Sequence, residues 1–236
     1  MNLMQMGEVL ASFGYGTQVF GIPVYISFWT VAMAVLLTMS AHSYIHRQLY
    51  SLRRKLNCST SALVTGSLVG AVLMVISIAA HEIGHAITAY YFNYQITGAG
   101  ISWWGAYVSL PDAYVQGRPL AMIAVSLAGP FTNFAISLIA MGVVSLLDES
   151  VTENTIQFVA YMNYRLGKLN ILPIFVLDGG KVVWGLARAV FGNGDTAFDF
   201  ALAVSFVCIA FFMGKRRKLK NYDAPRDRFE EALERL

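Results

Sequence analysis

Charged residues are scarce in this chain. Lys, Arg, Asp and Glu make up 13% of its 236 residues, whereas soluble domains carry about 25%. Hydrophobic residues reach 56%, and the mean hydropathy is +0.55. A composition this apolar excludes an intrinsically disordered chain. It points instead to a membrane-embedded protein, in which each crossing needs about 20 apolar residues.

Cysteine and basic clusters are also nearly missing. The two cysteines, Cys58 and Cys208, lie far apart in the chain, which excludes a disulfide-bonded secreted scaffold. The first 21 residues contain no Lys or Arg, and a secretory signal peptide needs a positive start. Basic residues are concentrated in one short cluster at 215–218, which argues against a protein dedicated to binding nucleic acid.

Long apolar runs dominate what is present. Each of five runs is long enough to cross a bilayer, namely 22–40, 62–80, 119–147, 155–176 and 196–214. The segment 178–191 looks helical but spans only if it is tilted or continuous with a neighbour. The stretch 97–110 is rich in Gly, aromatic and β-branched residues, which indicates strands. We therefore expect an all-α polytopic membrane protein of about five or six transmembrane helices, with a small membrane-associated β segment near 97–110.

The domain organisation follows from the same runs. We interpret residues 1–214 as one integral-membrane domain and 215–236 as a basic and then mixed-charge tail. We expect no appended soluble domain. We expect a multi-pass protein of the cell membrane. The loop 41–61 and the tail are both positive, so the positive-inside rule places both in the cytoplasm if 178–191 does not span. They fall on opposite sides if it does, and the sequence leaves this orientation open.

The segment His81-Glu82-Ile83-Gly84-His85 holds two of the four histidines. Positions i and i+4 of a helix share one face, so both imidazoles can reach one metal ion. Glu82 beside them can take a proton from a metal-held water. Ionisable residues inside an apolar segment are costly and indicate a functional site. The pattern is that of zinc metalloproteases; the alternative is a group of polar residues at an interfacial helix end.

A catalytic zinc site also needs a third protein ligand and an open position. The tightest candidate is Asp178, an acid that follows an apolar stretch and precedes Gly179 and Gly180. Pro173 breaks the preceding helix, and a broken helix at membrane depth is tolerated where it lines a cavity. Asp178 could instead cap the helix that follows it, and both roles are compatible.

Three motifs together resemble the site-2 proteases, which are intramembrane zinc metalloproteases. The motifs are His81-Glu82-Ile83-Gly84-His85, then Ala128-Gly129-Pro130-Phe131-Thr132-Asn133, then Asn170 with Pro173 and Leu177-Asp178-Gly179-Gly180. Their order and spacing match that family, and the resemblance covers roughly residues 17–191. Many members have a second proline where this chain has Phe175, and many carry a fused regulatory domain.

The resemblance implies a role for each matched residue. It implies His81, His85 and Asp178 as ligands of one zinc ion per chain and Glu82 as the catalytic base. It implies that Asn133 and Asn170 contact the substrate backbone or steady the reaction centre; the alternative is that both asparagines are packing residues between helices. The stretch 97–110 would receive an extended substrate.

The expected partners are the lipid bilayer and a single-span membrane-protein substrate, with no nucleic acid; the oligomeric state is open. Two other functions compete with peptide-bond hydrolysis: a zinc transporter or sensor, and a silent relative that only binds membrane segments. Glu82 argues against the first, since transport needs no base beside a ligand. His42 and His46 repeat the i, i+4 spacing without a glutamate between them, and we interpret them as interfacial residues.

Overall fold

The computed structural model describes residues 14–19, 21–28, 30–51, 59–102, 105–110, 118–192 and 194–219. The helices in this part of the chain are α1 (Thr30–Ser51), α2 (Thr60–Tyr91), α3 (Pro119–Val144), α4 (Val151–Asn170), α5 (Asp178–Phe191) and α6 (Gly194–Leu219). The strands are β1 (Gly14–Val19), β2 (Ile22–Ser27), β3 (Gly98–Ser102) and β4 (Gly105–Ser109). The mostly helical fold with a small β segment agrees with the prediction. The tail 220–236 lies outside the described residues.

Three described helices are long and apolar enough to cross a membrane. They are α2, α3 and the part of α6 from Gly194 to Met213. The predicted count of five or six transmembrane helices is therefore not confirmed. The run 155–176 was expected to cross, but its helix α4 ends at Asn170, ahead of Pro173, and does not reach the same hydropathy.

The α2 helix shows why a membrane suits this fold. Its outward positions carry large apolar side chains, with Leu68 52% and Ile76 57% exposed. Most residues of its buried face are small or polar instead, among them Gly70 and Ser77. Water would favour the opposite arrangement. Small residues inside and apolar residues outside are what helix packing in lipid requires.

The α4 helix is the polar centre of the bundle and packs against α1, α2 and α3. Asn163 is fully buried and donates from Nδ2 to Ser77 Oγ of α2 at 3.1 Å. Ser137 of α3 donates to the carbonyl of Ala160 at 2.9 Å. Neighbouring helices therefore bury part of the polar surface of α4, including Asn163, whereas Arg165 and Lys168 are exposed.

The helix ends follow local sequence signals. Ser59 caps α2 by accepting from the Ala62 N–H, and Ser150 caps α4 by accepting from the Glu153 N–H. Pro119 opens α3 at a position where its missing N–H costs nothing. These signals fix where the three helices begin.

The four strands form one sheet in the order β1-β2-β3-β4. The β1–β2 and β3–β4 pairs are antiparallel, and β2 pairs parallel with β3, with Val24 opposite Ala99. The strands expected within 97–110 are confirmed as the antiparallel pair β3 and β4; Trp103 and Trp104 between them lie outside the described residues. The run 22–40, however, does not form one crossing helix, because its first six residues are β2. A short apolar run lacking charge does not distinguish a strand from a helix, and Val24, Tyr25 and Ile26 favour the strand.

Candidate metal centre

Close contact between α2 and α3 creates the site. A side-chain carbon on Gly84 would lie 2.5 Å from Thr132 Oγ1 and 3.1 Å from the Ala128 carbonyl. A carbon on Gly129 would lie closer than 3.0 Å to the Nε2 atoms of both His81 and His85. Glycine at these two positions therefore lets the backbones approach, and it leaves open the space in front of both imidazoles.

His81, His85 and Asp178 converge on that space, as the sequence predicts. The two Nε2 atoms are 3.1 Å apart, and Asp178 Oδ2 lies 3.1 Å from Nε2 of His81 and 3.3 Å from Nε2 of His85. All three residues are buried. Helix α2 supplies the first two from consecutive turns, and the first residue of α5 supplies the third.

The dimensions of this triangle fit a divalent metal ion. Tetrahedral zinc with ligands at about 2.0–2.1 Å requires ligand atoms about 3.3–3.4 Å apart, close to the observed separations. Two imidazole nitrogens and one carboxylate oxygen are also a donor set found in catalytic zinc sites. Among the described residues, this is the group of His, Cys, Asp or Glu side chains able to hold a metal ion.

The other ring nitrogens of the histidines have protein partners. His85 Nδ1 lies 2.6 Å from the carbonyl oxygen of Val125 on α3. A carbonyl only accepts, so Nδ1 of His85 carries the proton and Nε2 presents its lone pair to the metal space. His81 Nδ1 lies 3.0 Å from the side-chain amide of Asn133, also on α3. Partners of this kind fix the orientation of metal-binding imidazoles.

A tight loop between α4 and α5 positions Asp178. A side-chain carbon on Gly179 would collide with the carbonyls of Ile171 and Leu172, and one on Gly180 would collide with the backbone of Ile174. The start of α5 therefore packs directly on the loop backbone. Asp178 is the first helical residue, and Leu177 is the N-cap, so the capping role considered for Asp178 does not apply.

The Asp178 carboxylate has a cationic neighbour, and a nearby cation favours the charged form of a buried carboxylate. Lys181 Nζ lies 3.3 Å from Oδ1, the carboxylate oxygen that faces away from the imidazoles, and its side chain is 47% exposed. A deprotonated carboxylate is the form that binds a metal.

The remaining predicted residues lie around this centre. Glu82 follows His81 on α2 and is half-buried, as is Asn170 at the end of α4. Asn133 is 1% exposed, with its amide against His81. His42 belongs to a stacked pair with His46 on α1 and lies 3.4 Å from Ser67 Oγ; that pair is not part of the metal group.

Two features of the centre were not predicted from the sequence. One is the Val125 carbonyl, because a backbone acceptor has no side-chain signature in the sequence. The other is Lys181, whose spacing of three residues from Asp178 on one helix would have placed the two side chains together.

The chain matches a family model and is similar to several known proteins. The model of peptidase family M50 matches residues 69–150 and 146–214. Stage IV sporulation protein FB of Bacillus subtilis is 29% identical over 124 residues, which are 52% of this chain and 41% of that protein. Zinc metalloprotease MJ0392 of Methanocaldococcus jannaschii is 22% identical over 122 residues, which are 51% of this chain and 35% of that protein.

This chain thus spans less than half the length of these curated relatives. A solved structure, the site-2 protease from Methanocaldococcus jannaschii, has a similar fold at a TM-score of 0.52 and 15% identity. The match covers 90% of this chain and 99% of that one.

Proposed function

Because this chain belongs to peptidase family M50, we propose that it is a multi-pass membrane zinc metalloprotease. It hydrolyses a peptide bond in or near the transmembrane segment of a membrane-protein substrate. The observation that carries this proposal is the buried triangle of His81, His85 and Asp178, with its edges of 3.1–3.3 Å. A relative named a zinc metalloprotease supports zinc as the metal.

The proposed chemistry divides between the metal and Glu82. Zinc held by the two histidines and Asp178 supplies a Lewis acid that polarises the scissile carbonyl and acidifies water. Glu82 is the residue directly after the proposed ligand His81 on α2, so its side chain starts next to the centre. It accepts the proton of the attacking water and passes it to the leaving amine. Asn170, half-buried where α4 meets the loop, is proposed to bind the substrate backbone.

The sheet supports a route for the substrate. Its last strand, β4, pairs with β3 on one side only within the described residues. Leu110 at the end of β4 packs on a cluster containing Val125, whose carbonyl holds His85. A transmembrane helix must unwind before its peptide bonds can be cleaved, and an edge strand can bind the unwound segment by backbone pairing. We therefore propose a single-span membrane protein as the substrate.

The proposed protease is distinguished from a zinc transporter by replacing Glu82 with Gln. The amide keeps the shape of the side chain but cannot act as a base, so cleavage should fall by about 10²–10⁴-fold while zinc stays bound. Purified enzyme would be incubated with a model single-span substrate in detergent, with cleavage followed on gels and zinc by metal analysis.

Glu149→Gln, in the loop before α4, is the matched control and should cleave at the wild-type rate. Wild-type cleavage by Glu82→Gln would refute the role of Glu82. A wild-type protein that binds zinc but cleaves none of several single-span substrates would favour transport or sensing.

A further inference from the structure

The Asn133 amide presents an unresolved hydrogen-bonding conflict. Its Nδ2 atom faces His81 Nδ1 at 3.0 Å, and its Oδ1 atom is buried without a partner among the described residues. A buried carbonyl oxygen without a partner costs about 1–3 kcal/mol. The conflict deepens when His81 binds a metal, because the neutral imidazole then carries its proton on Nδ1 and two donors would face each other.

Rotating the amide by 180° resolves this conflict. The Asn133 oxygen then accepts the proton of His81 Nδ1, and the arrangement matches that of His85, whose Nδ1 donates to the Val125 carbonyl at 2.6 Å. The two amide orientations occupy the same space, so their hydrogen-bond partners decide between them. Before rotation, two donors face each other and the Asn133 oxygen has no partner. After rotation, only the Asn133 NH₂ group lacks a partner.

We propose that Asn133 is a positioning residue for the metal centre: its carbonyl oxygen accepts from His81 Nδ1 and holds the His81 ring with Nε2 toward the metal. This inference rests on the proposed function, since it assumes that His81 binds zinc. The burial of Asn133 supports it, because a side chain that is 1% exposed offers no surface to a substrate peptide. A residue acting through His81 affects zinc affinity first and substrate binding only through zinc.

Two substitutions of Asn133 separate this role from packing. Asn133→Leu keeps the approximate volume but removes the acceptor, so the zinc dissociation constant should rise about 10–100-fold, as found for lost partners of metal-binding histidines. Asn133→Asp keeps an oxygen in place, and carboxylates are common partners of such histidines, so zinc affinity should stay within a few-fold of wild type. Affinity would be measured by competition with a chromogenic chelator, alongside the melting temperature of the zinc-free protein.

Asn163→Leu is the matched control. Asn163 is also a buried asparagine in the helix bundle, but it bonds to Ser77 and not to a metal-binding histidine. Its loss should lower the melting temperature and leave the zinc dissociation constant unchanged.

Three outcomes would overturn the proposal. One is wild-type zinc affinity in Asn133→Leu combined with a raised KM, which would assign Asn133 to the substrate. Another is an equal loss of affinity in Asn133→Asp, and the third is an equal loss in Asn163→Leu. Failure of the proposed function itself has a different signature, because zinc affinities would then change as predicted here while the wild-type protein cleaves no single-span substrate. Zinc that stays bound in a His81→Ala/His85→Ala variant would instead remove the assumption that His81 binds the metal.

Discussion

Replacing Gly129 with alanine tests the geometry of the metal centre with a single methyl group. The added carbon would lie 2.5 Å from His81 Nε2 and closer still to His85 Nε2. To restore an ordinary contact of 3.4 Å, the His81 ring must retreat by about 0.9 Å, whereas metal–ligand distances tolerate only about 0.2 Å. We therefore expect the substitution to remove at least one imidazole from the metal.

The substitution should lower zinc affinity far more than it lowers the stability of the zinc-free protein. Weakening one ligand should raise the zinc dissociation constant by at least the 10–100-fold that follows from losing a supporting hydrogen bond. Alanine is the better helix former by about 0.5–1 kcal/mol, which offsets part of the steric cost in the zinc-free protein. The collision is with two side chains, not with backbone, so the protein can still fold by turning the rings away.

Gly142→Ala is the matched control, because Gly142 lies on the same helix with nothing within 4 Å of the added carbon. It should leave zinc affinity unchanged and raise stability by about 0.5–1 kcal/mol. Chelator competition and thermal melting of both variants in the same detergent would provide the comparison. If Gly129→Ala binds zinc with wild-type affinity, the space in front of the imidazoles is not the metal site and our reasoning fails.

Three further predictions concern the same centre. Gly179→Ala should lower both stability and zinc affinity, because its side chain would collide with the carbonyls of 171–172 and displace Asp178; wild-type melting and zinc content would contradict this. His42→Ala/His46→Ala should retain one zinc per chain by metal analysis, since these histidines lie on α1 outside the metal group, and a loss of zinc would refute this separation. Removing zinc with a chelator should lower the melting temperature, because free zinc at 100 times its dissociation constant stabilises the folded state by about 2.7 kcal/mol; an unshifted melting curve would argue against a site formed only in the folded protein.

The sequence predicted which side chains converge at the candidate metal centre better than it predicted the fold around them. The i, i+4 spacing of His81 and His85 needs only a helix to bring two imidazoles together, and α2 is such a helix. Asp178 was predicted from an unpaired acid next to two glycines, and it lies within 3.3 Å of both Nε2 atoms. The His81–His85 signal depends on local helix geometry alone, whereas Asp178 lies 97 residues from His81 in the chain and was predicted from its own motif.

Long-range and backbone features were not predictable in the same way. The strand β2 was missed because an uncharged run of β-branched residues fits a helix or a strand until its partner β3 is known. The acceptor for His85 is a backbone carbonyl of Val125, which any residue type would supply. The polar residue Asn163 in α4 is likewise explained only by the structure, which places Ser77 of α2 beside it as a hydrogen-bond partner.

The parallel pairing of β2 with β3 has a consequence for the order of assembly. Val24 and Ala99 are neighbours in the sheet, but both α1 and α2 lie between them in the chain. At a synthesis rate of about 5–20 residues per second, β2 leaves the ribosome roughly 4–15 s before its partner exists. During that interval both intervening helices can enter the bilayer while one side of the β1–β2 hairpin stays unpaired. The sheet can therefore close only after α2 has been synthesised, so sheet formation follows the synthesis of the helix that carries His81 and His85.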